Sequence, residues 1–421
     1  MDFPVFEFPY LGTRYLIALI AVLHVVINHG AAIGGSLVTV LLERKGFRDG
    51  DPRYEALAYR LAAVFFVLTT TVGALSGVGI WFSTMVGQPA AIGSMLRIFF
   101  WAWFLEWIVF VVEVALVMVY FLTWRTFQDK RTHLRVGWAY VAASGATMAI
   151  ITGILGFMLT PGAWHGDHSL WSAFLNPTYL PQLVLRSGLA LGLGASLALV
   201  LTRWLAPADF QAEASRYLGR FFFAAVPLIA LGGMAYLFVL PDAVRGLVPT
   251  ALVTSRFIPY VQASYAINAV ICLALLGFGW QARRRALPIV GRLAAFVALV
   301  CLLGQFERVR EFARKPYMIP GYMYANGLRE ADRAKYDRDG ILAHARYPDA
   351  HPGRAVFKLE CASCHTLGGM NDPSVPLKGQ SAAAIDPFIA SLHEVHPFMP
   401  PFMGTAKERR ALAEFLASEA R

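Results

Sequence analysis

Along the first three-quarters of the chain, long apolar runs alternate with short breaks. A helix needs roughly 20 mostly apolar residues to cross the hydrocarbon of a bilayer. Runs of that kind occupy about 14–42, 56–82, 98–124, 136–160, 178–204, 218–240, 256–280 and 287–309, so eight crossings are expected. Past about 315 the pattern turns polar ("NGLREADRAKYDRDG"), and the chain ends in an amphipathic stretch with helical spacing, "AKERRALAEFLASEA" (406–420). The fold class read from this is all-α: a polytopic transmembrane helical bundle of about eight spans, then a small α-helical domain. The expected division is 1–314 for the membrane part, 315–344 for a charged tether that packs on it or allows movement, and 345–421 for the terminal domain.

Composition supports the membrane reading. Of 421 residues 57% are apolar and 15% charged, against about 25% charged in soluble domains. The formal charge of +10 does not point to nucleic acid, because the basic residues collect in alternate breaks. Arg44, Lys45, Arg48 and Arg53 lie in one, Arg125, Lys130, Arg131 and Arg135 in another, Arg203, Arg216 and Arg220 in a third, and Arg283, Arg284 and Arg285 in a fourth. The other breaks hold only Arg97, Arg245 and Arg256. This is the bias that sets membrane orientation, with the basic breaks inside. The implied contact is membrane lipid. An acidic start (Asp2, Glu7) and a first run long enough to span predict no cleaved leader. Cys272 and Cys301 fall within apolar runs and are expected to be buried packing residues.

Cys361-Ala362-Ser363-Cys364-His365 has the spacing that attaches a c-type haem, two thiols for the vinyl groups and a histidine for the iron. One covalent haem c is expected. Zinc would need two further ligands that the sequence does not offer. Haem attachment takes place on the outer, periplasmic face, and eight spans then put both termini there, in agreement with the basic breaks inside. "HPFMPPFMG" (396–404) offers Met399 and Met403 as sixth ligand, with His393 and His396 as alternatives. Motif, methionine and closing helix resemble a class I cytochrome c, in which "MPPF" is the usual setting of the ligand, so Met399 is chosen.

Ionisable groups at membrane depth are expensive and mark candidate sites. The first span carries His24 and His29, which sit about 140° apart on a helix. Each is either a haem ligand or a histidine hydrogen-bonded between helices. The third span carries Glu106 and Glu113 on one face, since seven residues are nearly two turns. They suit a proton path or a polar wall beside a haem. The plainer alternative is a pair of structural hydrogen bonds to Arg60 or Arg186. Glu307, near the end of the eighth span, is a ligand, a proton group or an interfacial anchor. His165 and His168 in "AWHGDHSLW" form an outer-loop HxxH that reads as a metal or haem site, a partner surface, or a polar loop between Trp164 and Trp171.

"ALIAVLH" (18–24), "FLEWIVFVVEV" (104–114) with Trp124, "GFMLTP" (156–161), "LNP" (175–177) and "EFARKPY" (311–317) occur in the order found in subunit I of the cytochrome bd quinol oxidases. The resemblance implies that His24 ligates a membrane haem of b or d type and that Glu106 and Glu113 are its functional glutamates. It also implies a second membrane subunit as partner. Departures are equally marked. The family's fifth-helix histidine falls at Leu185 or Arg186, its seventh-helix methionine near Ile267, and its eighth-helix glutamate around Gly304. The quinol loop shrinks to about 241–255, and the ninth helix gives way to the haem c domain. The expected function is therefore electron transfer between a periplasmic haem c, served by a periplasmic electron-transfer protein, and a membrane haem site, with oxygen as acceptor. A non-catalytic anchor presenting one haem c, and a quinol dehydrogenase subunit, are the competing readings.

Overall fold

The structure, a computed structural model, describes residues 5–127, 129–253, 261–346 and 349–420. Among the described residues, eight helical segments are long and apolar enough to cross a membrane: Thr13–Asp49, Pro52–Gly87, Pro89–Leu122, Lys130–Phe157, Tyr179–Leu205, Gln211–Val239, Tyr265–Arg284 and Ile289–Ala313. These are the eight expected runs. Arg256 and the expected start of the seventh lie outside the described residues. The shortened loop before it contains a further helix, Asp242–Val253. Short polar caps set the span boundaries. Asp51 accepts from Arg53 N at 2.9 Å ahead of Pro52, and Asp129 accepts from Arg131 N at 3.0 Å. Both satisfy amide groups that a helix start leaves without partners.

The chain forms two compact units. The first is Val22–Ser76 with Trp101–Arg310, and the second is Met1–Ala21, Gly77–Phe100 and Glu311–Arg421. In the first, the fifth span is central: 72% of its apolar window is buried, against 17% for the third. Lipid gives helices no hydrophobic reason to associate, so small residues that let backbones touch carry the packing. A Cβ on Gly34 would lie 1.8 Å from Ala190 O, and one on Gly194 would lie 2.3 Å from Gly34 C, so the first and fifth spans meet backbone to backbone. Cys272 is partly covered but Cys301 is exposed. The expectation of a buried Cys301 fails because its helix face turns outward.

In the second unit, Pro352–Glu360 packs on Ala406–Glu419 over Val356, Phe357, Ile385, Ile389, Leu412 and Leu416. Thr405 caps the last helix and shares a reciprocal pair of bonds with Glu408. Glu408 also accepts from Leu342 N at 2.9 Å and Ile341 N at 3.2 Å. The stretch expected as a tether is therefore partly built in. It holds an antiparallel pair, Tyr317–Ile319 with Met323–Tyr324, in which Met318, Ile319, Met323 and Tyr324 are buried. "YMIPGYMY" carries the signature of such a hairpin, apolar residues around Pro-Gly, and an all-helical reading passes over it.

Candidate haem c site and buried polar groups of the bundle

The haem motif begins where Pro352–Glu360 ends, with Cys361 N donating to Phe357 O at 2.8 Å. His365 Nδ1 lies 2.9 Å from Asn371 O, and Asn371 Nδ2 donates to Cys364 O at 2.8 Å. A ligating imidazole typically gives its second nitrogen to a carbonyl. Here Nδ1–H does so, which leaves Nε2 for iron. Burial holds the His365 pKa below its usual value, in the neutral form that a metal requires. Burial raises that of Cys361, and it pushes the Glu360 carboxyl up to about 8, against bonds from Met403 N (3.1 Å) and Asn326 Nδ2 (2.9 Å). The residues fit a covalent haem c. Met399 is partly covered, as is His365, whereas Met403 is 0% exposed. His393 Nδ1 lies 2.7 Å from Met399 O and steadies that loop.

The motif loop rests on the segment leading into the first span. Met370 N donates to Tyr10 O at 2.8 Å, and Gln88 Nε2 reaches Ser363 O at 3.5 Å. Gly12 has φ +76°, and a Cβ there would lie 1.9 Å from Thr366 Oγ1; a Cβ on Gly369 would lie 2.3 Å from Tyr10 O. No side chain fits at either place. Gly12→Val is therefore expected to speed hydrogen exchange at the Met370 amide by at least about 10-fold while leaving haem attachment intact, since local opening governs exchange. Unchanged exchange would mean that this contact does not hold the loop.

In the bundle, His24 Nδ1 lies 3.1 Å from Gly73 O and 3.2 Å from Ser76 Oγ, and its Nε2 lies 2.7 Å from Asn28 Nδ2. Asn28 opens a π-helical segment, Asn28–Ile33, and Gly73 closes another, Thr69–Gly73. Such segments concentrate at functional sites. A proton on Nδ1 makes Nε2 the acceptor, the atom that iron would take, and the Asn28 amide now holds it. Glu113 is buried and accepts from Ser144 Oγ at 2.6 Å and Thr147 Oγ1 at 3.0 Å. Glu106 has no hydrogen bond among the described residues and is half-buried. Among the described residues, neither glutamate is hydrogen-bonded to an arginine. Arg60 instead donates to Leu205 O, and Arg186 is occupied elsewhere.

Arg186 is 2% exposed and pairs with Glu307, which also accepts from Arg310 Nη2 at 2.8 Å. His29 Nε2 lies 3.5 Å from Arg186 Nη1, and its Nδ1 lies 3.0 Å from Val25 O. At the place expected for a second haem ligand the chain thus carries an ion pair, while Leu185 lies against Gly232, where a Cβ would come within 2.4 Å of its amide nitrogen. These residues do not fit a second haem. Gln182, one turn from Arg186 and 0% exposed, has neither amide atom bonded. His165 and His168 are exposed, and no group of three or more metal-binding side chains forms among the described residues.

Sequence reasoning passed over one wholly buried cluster. His133 Nδ1 lies 2.6 Å from Glu43 Oε1, Tyr120 OH donates to Glu43 Oε2 at 2.7 Å, and His133 Nε2 lies 2.8 Å from Tyr120 O. The rings of Tyr120 and His133 stack at 4.7 Å. Glu43 stands in "LLERKG" and reads as one more charge at a span end, and only its distant partners reveal its burial.

Residues 348–416 match the family described as cytochrome C oxidase, cbb3-type, subunit III. The search of curated proteins gives no match. Among solved structures the chain is similar to the bd oxidase from Geobacillus thermodenitrificans, with a TM-score of 0.63 and 15% identity, over 75% of this chain and 90% of that chain. At that identity the likeness is one of fold. The chain is a multi-pass membrane protein with a bd-oxidase-like fold joined to a haem-bearing cytochrome c domain of the electron-transfer type.

Proposed function

We propose that this protein passes electrons between a periplasmic haem c and a haem held by His24 in the bundle, with oxygen as the terminal acceptor. The observation that carries the reading is His24 itself: a ring fixed through Nδ1 by Gly73 and Ser76, with Nε2 left as acceptor between two π-helical segments. When bound, haem c carries one electron at a time, and a haem of b or d type at His24 supplies an iron that can be reduced and can bind oxygen.

The chain's own residues do the rest. Cys361 and Cys364 would attach haem c, and His365 and Met399 would hold its iron. Asn28 turns its amide away to free Nε2. Ser144 and Thr147 hold Glu113 in place at membrane depth, and Glu106, two turns away on the same face with no bond to break, takes up and releases protons. The basic breaks favour a location in the inner membrane with haem c outside. A periplasmic electron-transfer protein and a second membrane subunit are the proposed partners.

One observation favours a second reading. The ion pair Arg186–Glu307 stands where a further haem would be ligated, which suits an anchor that merely presents haem c. A haem assay by pyridine haemochrome, followed by oxygen uptake with reduced cytochrome c, separates the two. Non-covalent haem, and uptake that falls at least about 10-fold in His24→Ala, are expected. Haem c alone, at one per chain, would establish the anchor.

A further inference from the structure

The proposed function leaves unused a cavity of about 270 Å³ in the bundle, at the end where the basic breaks gather. Four cationic side chains, Lys45, Arg216, Arg220 and Arg283, line it with Tyr54 and Tyr217. Its one carboxylate, Glu213, is already engaged by Arg53 Nη2 at 2.9 Å and Tyr54 OH at 3.2 Å. Lys45 pairs with Asp49 at 2.5 Å and lies 4.6 Å over the Tyr54 ring. Arg216, Arg220 and Arg283 have no carboxylate partner among the described residues. Three unneutralised guanidinium groups around one concavity constitute a strong anion field. Two rest on aromatic faces, Arg220 at 5.8 Å from Tyr217 and Arg283 at 5.7 Å from Phe223, so less side-chain freedom is lost when an anion arrives.

We infer that this cavity is a binding site for a phosphate-bearing anion, as carried by the head of an acidic phospholipid. Guanidinium forks match phosphate oxygens in pairs, which a carboxylate-lined or neutral pocket cannot do. The volume is just under the roughly 300–1,000 Å³ of pockets that enclose whole small molecules, so it takes a head group and leaves the tail outside. Apolar surface for that tail lies beside it: Phe223 is 37% and Trp280 50% exposed, with Arg284 at 4.5 Å over the Trp280 ring. Basic pockets between spans on the inner side of a membrane are where acidic lipid heads dock.

The test uses the full-length haem-loaded protein, stripped of lipid in a neutral detergent and titrated with phosphatidylglycerol or phosphatidylcholine while bound lipid is counted by native mass spectrometry. Phosphatidylglycerol is expected to bind preferentially. Each of Arg216→Gln, Arg220→Gln and Arg283→Gln should weaken it about 5-fold, and all three together about 100-fold, at about 1 kcal/mol per basic residue near the surface. Arg131→Gln with Arg135→Gln, outside the cavity, should leave it unchanged. If the triple variant does not fold, the single variants carry the test. Inorganic phosphate is the second arm: competition by millimolar phosphate would make the natural ligand a soluble phosphate, and its failure to compete would make it the lipid. Equal binding of both lipids by the unaltered protein, or full binding by the arginine variants, would overturn the assignment.

Discussion

Arg186→Leu is expected to destabilise the membrane bundle by about 3 kcal/mol, the lower end of the cost of breaking a buried ion pair. The guanidinium is 2% exposed, and its partner Glu307 comes from the eighth span, so the pair ties the fifth span to the eighth. Removing it leaves Glu307 with Arg310 alone and takes away the group facing His29 Nε2. The penalty comes from the charge left behind. Arg186→Leu combined with Glu307→Leu should therefore recover to within about 1 kcal/mol of the unaltered protein, because a buried pair is often no better than apolar residues of like size. Thermal denaturation followed by circular dichroism in a single detergent checks both variants. If the single variant melts with the unaltered protein, the pair is not what joins the two spans.

Met399→Ala and Met403→Ala should part company completely. Loss of a thioether ligand is expected to lower the haem c potential by on the order of 0.1–0.3 V, within the roughly 0.8 V that axial ligation spans. Met399 is partly covered, as is His365, so both would remain within reach of a bound haem. Met403 is enclosed by protein, and its amide is tied to Glu360 Oε1 at 3.1 Å, so it cannot turn outward without emptying the core. Met403→Ala should leave the potential alone and cost about 2–5 kcal/mol of domain stability, as core truncations do. A redox titration with a melting curve on each variant decides it, and a potential that moves only in Met403→Ala would reverse the assignment.

The eight spans were legible because each is a long contiguous apolar run, and the haem motif because attachment needs a fixed local spacing. His24 could be singled out because an ionisable group in an apolar run stands out by contrast. Its partners could not: Gly73 contributes a backbone oxygen, which every residue has, and Asn28 is one of many polar residues. The same reason hid the contact between Tyr10 and Met370, which is carried by main-chain atoms. Glu43 and His133 are 90 positions apart, and each looks like an ordinary residue near a span end. Arg186 and Glu307, 121 positions apart, were visible as charges but not as a pair, because pairing depends on how the fifth and eighth spans are rotated.

The rest that the N-terminal segment provides for the haem loop sets an order of events in biosynthesis. Tyr10 and Gly12 leave the ribosome about 350 residues before Thr366, roughly 20–70 s earlier at about 5–20 residues per second. Through that interval the start of the chain has no partner for the loop it will support. Burial in the finished domain raises the Cys361 pKa and disfavours the reactive thiolate there. Closure on Tyr10 therefore waits until the whole haem loop has been made. A tag or extension that crowds residues 8–12 would leave translation and insertion untouched and would act only once the haem loop arrives to dock.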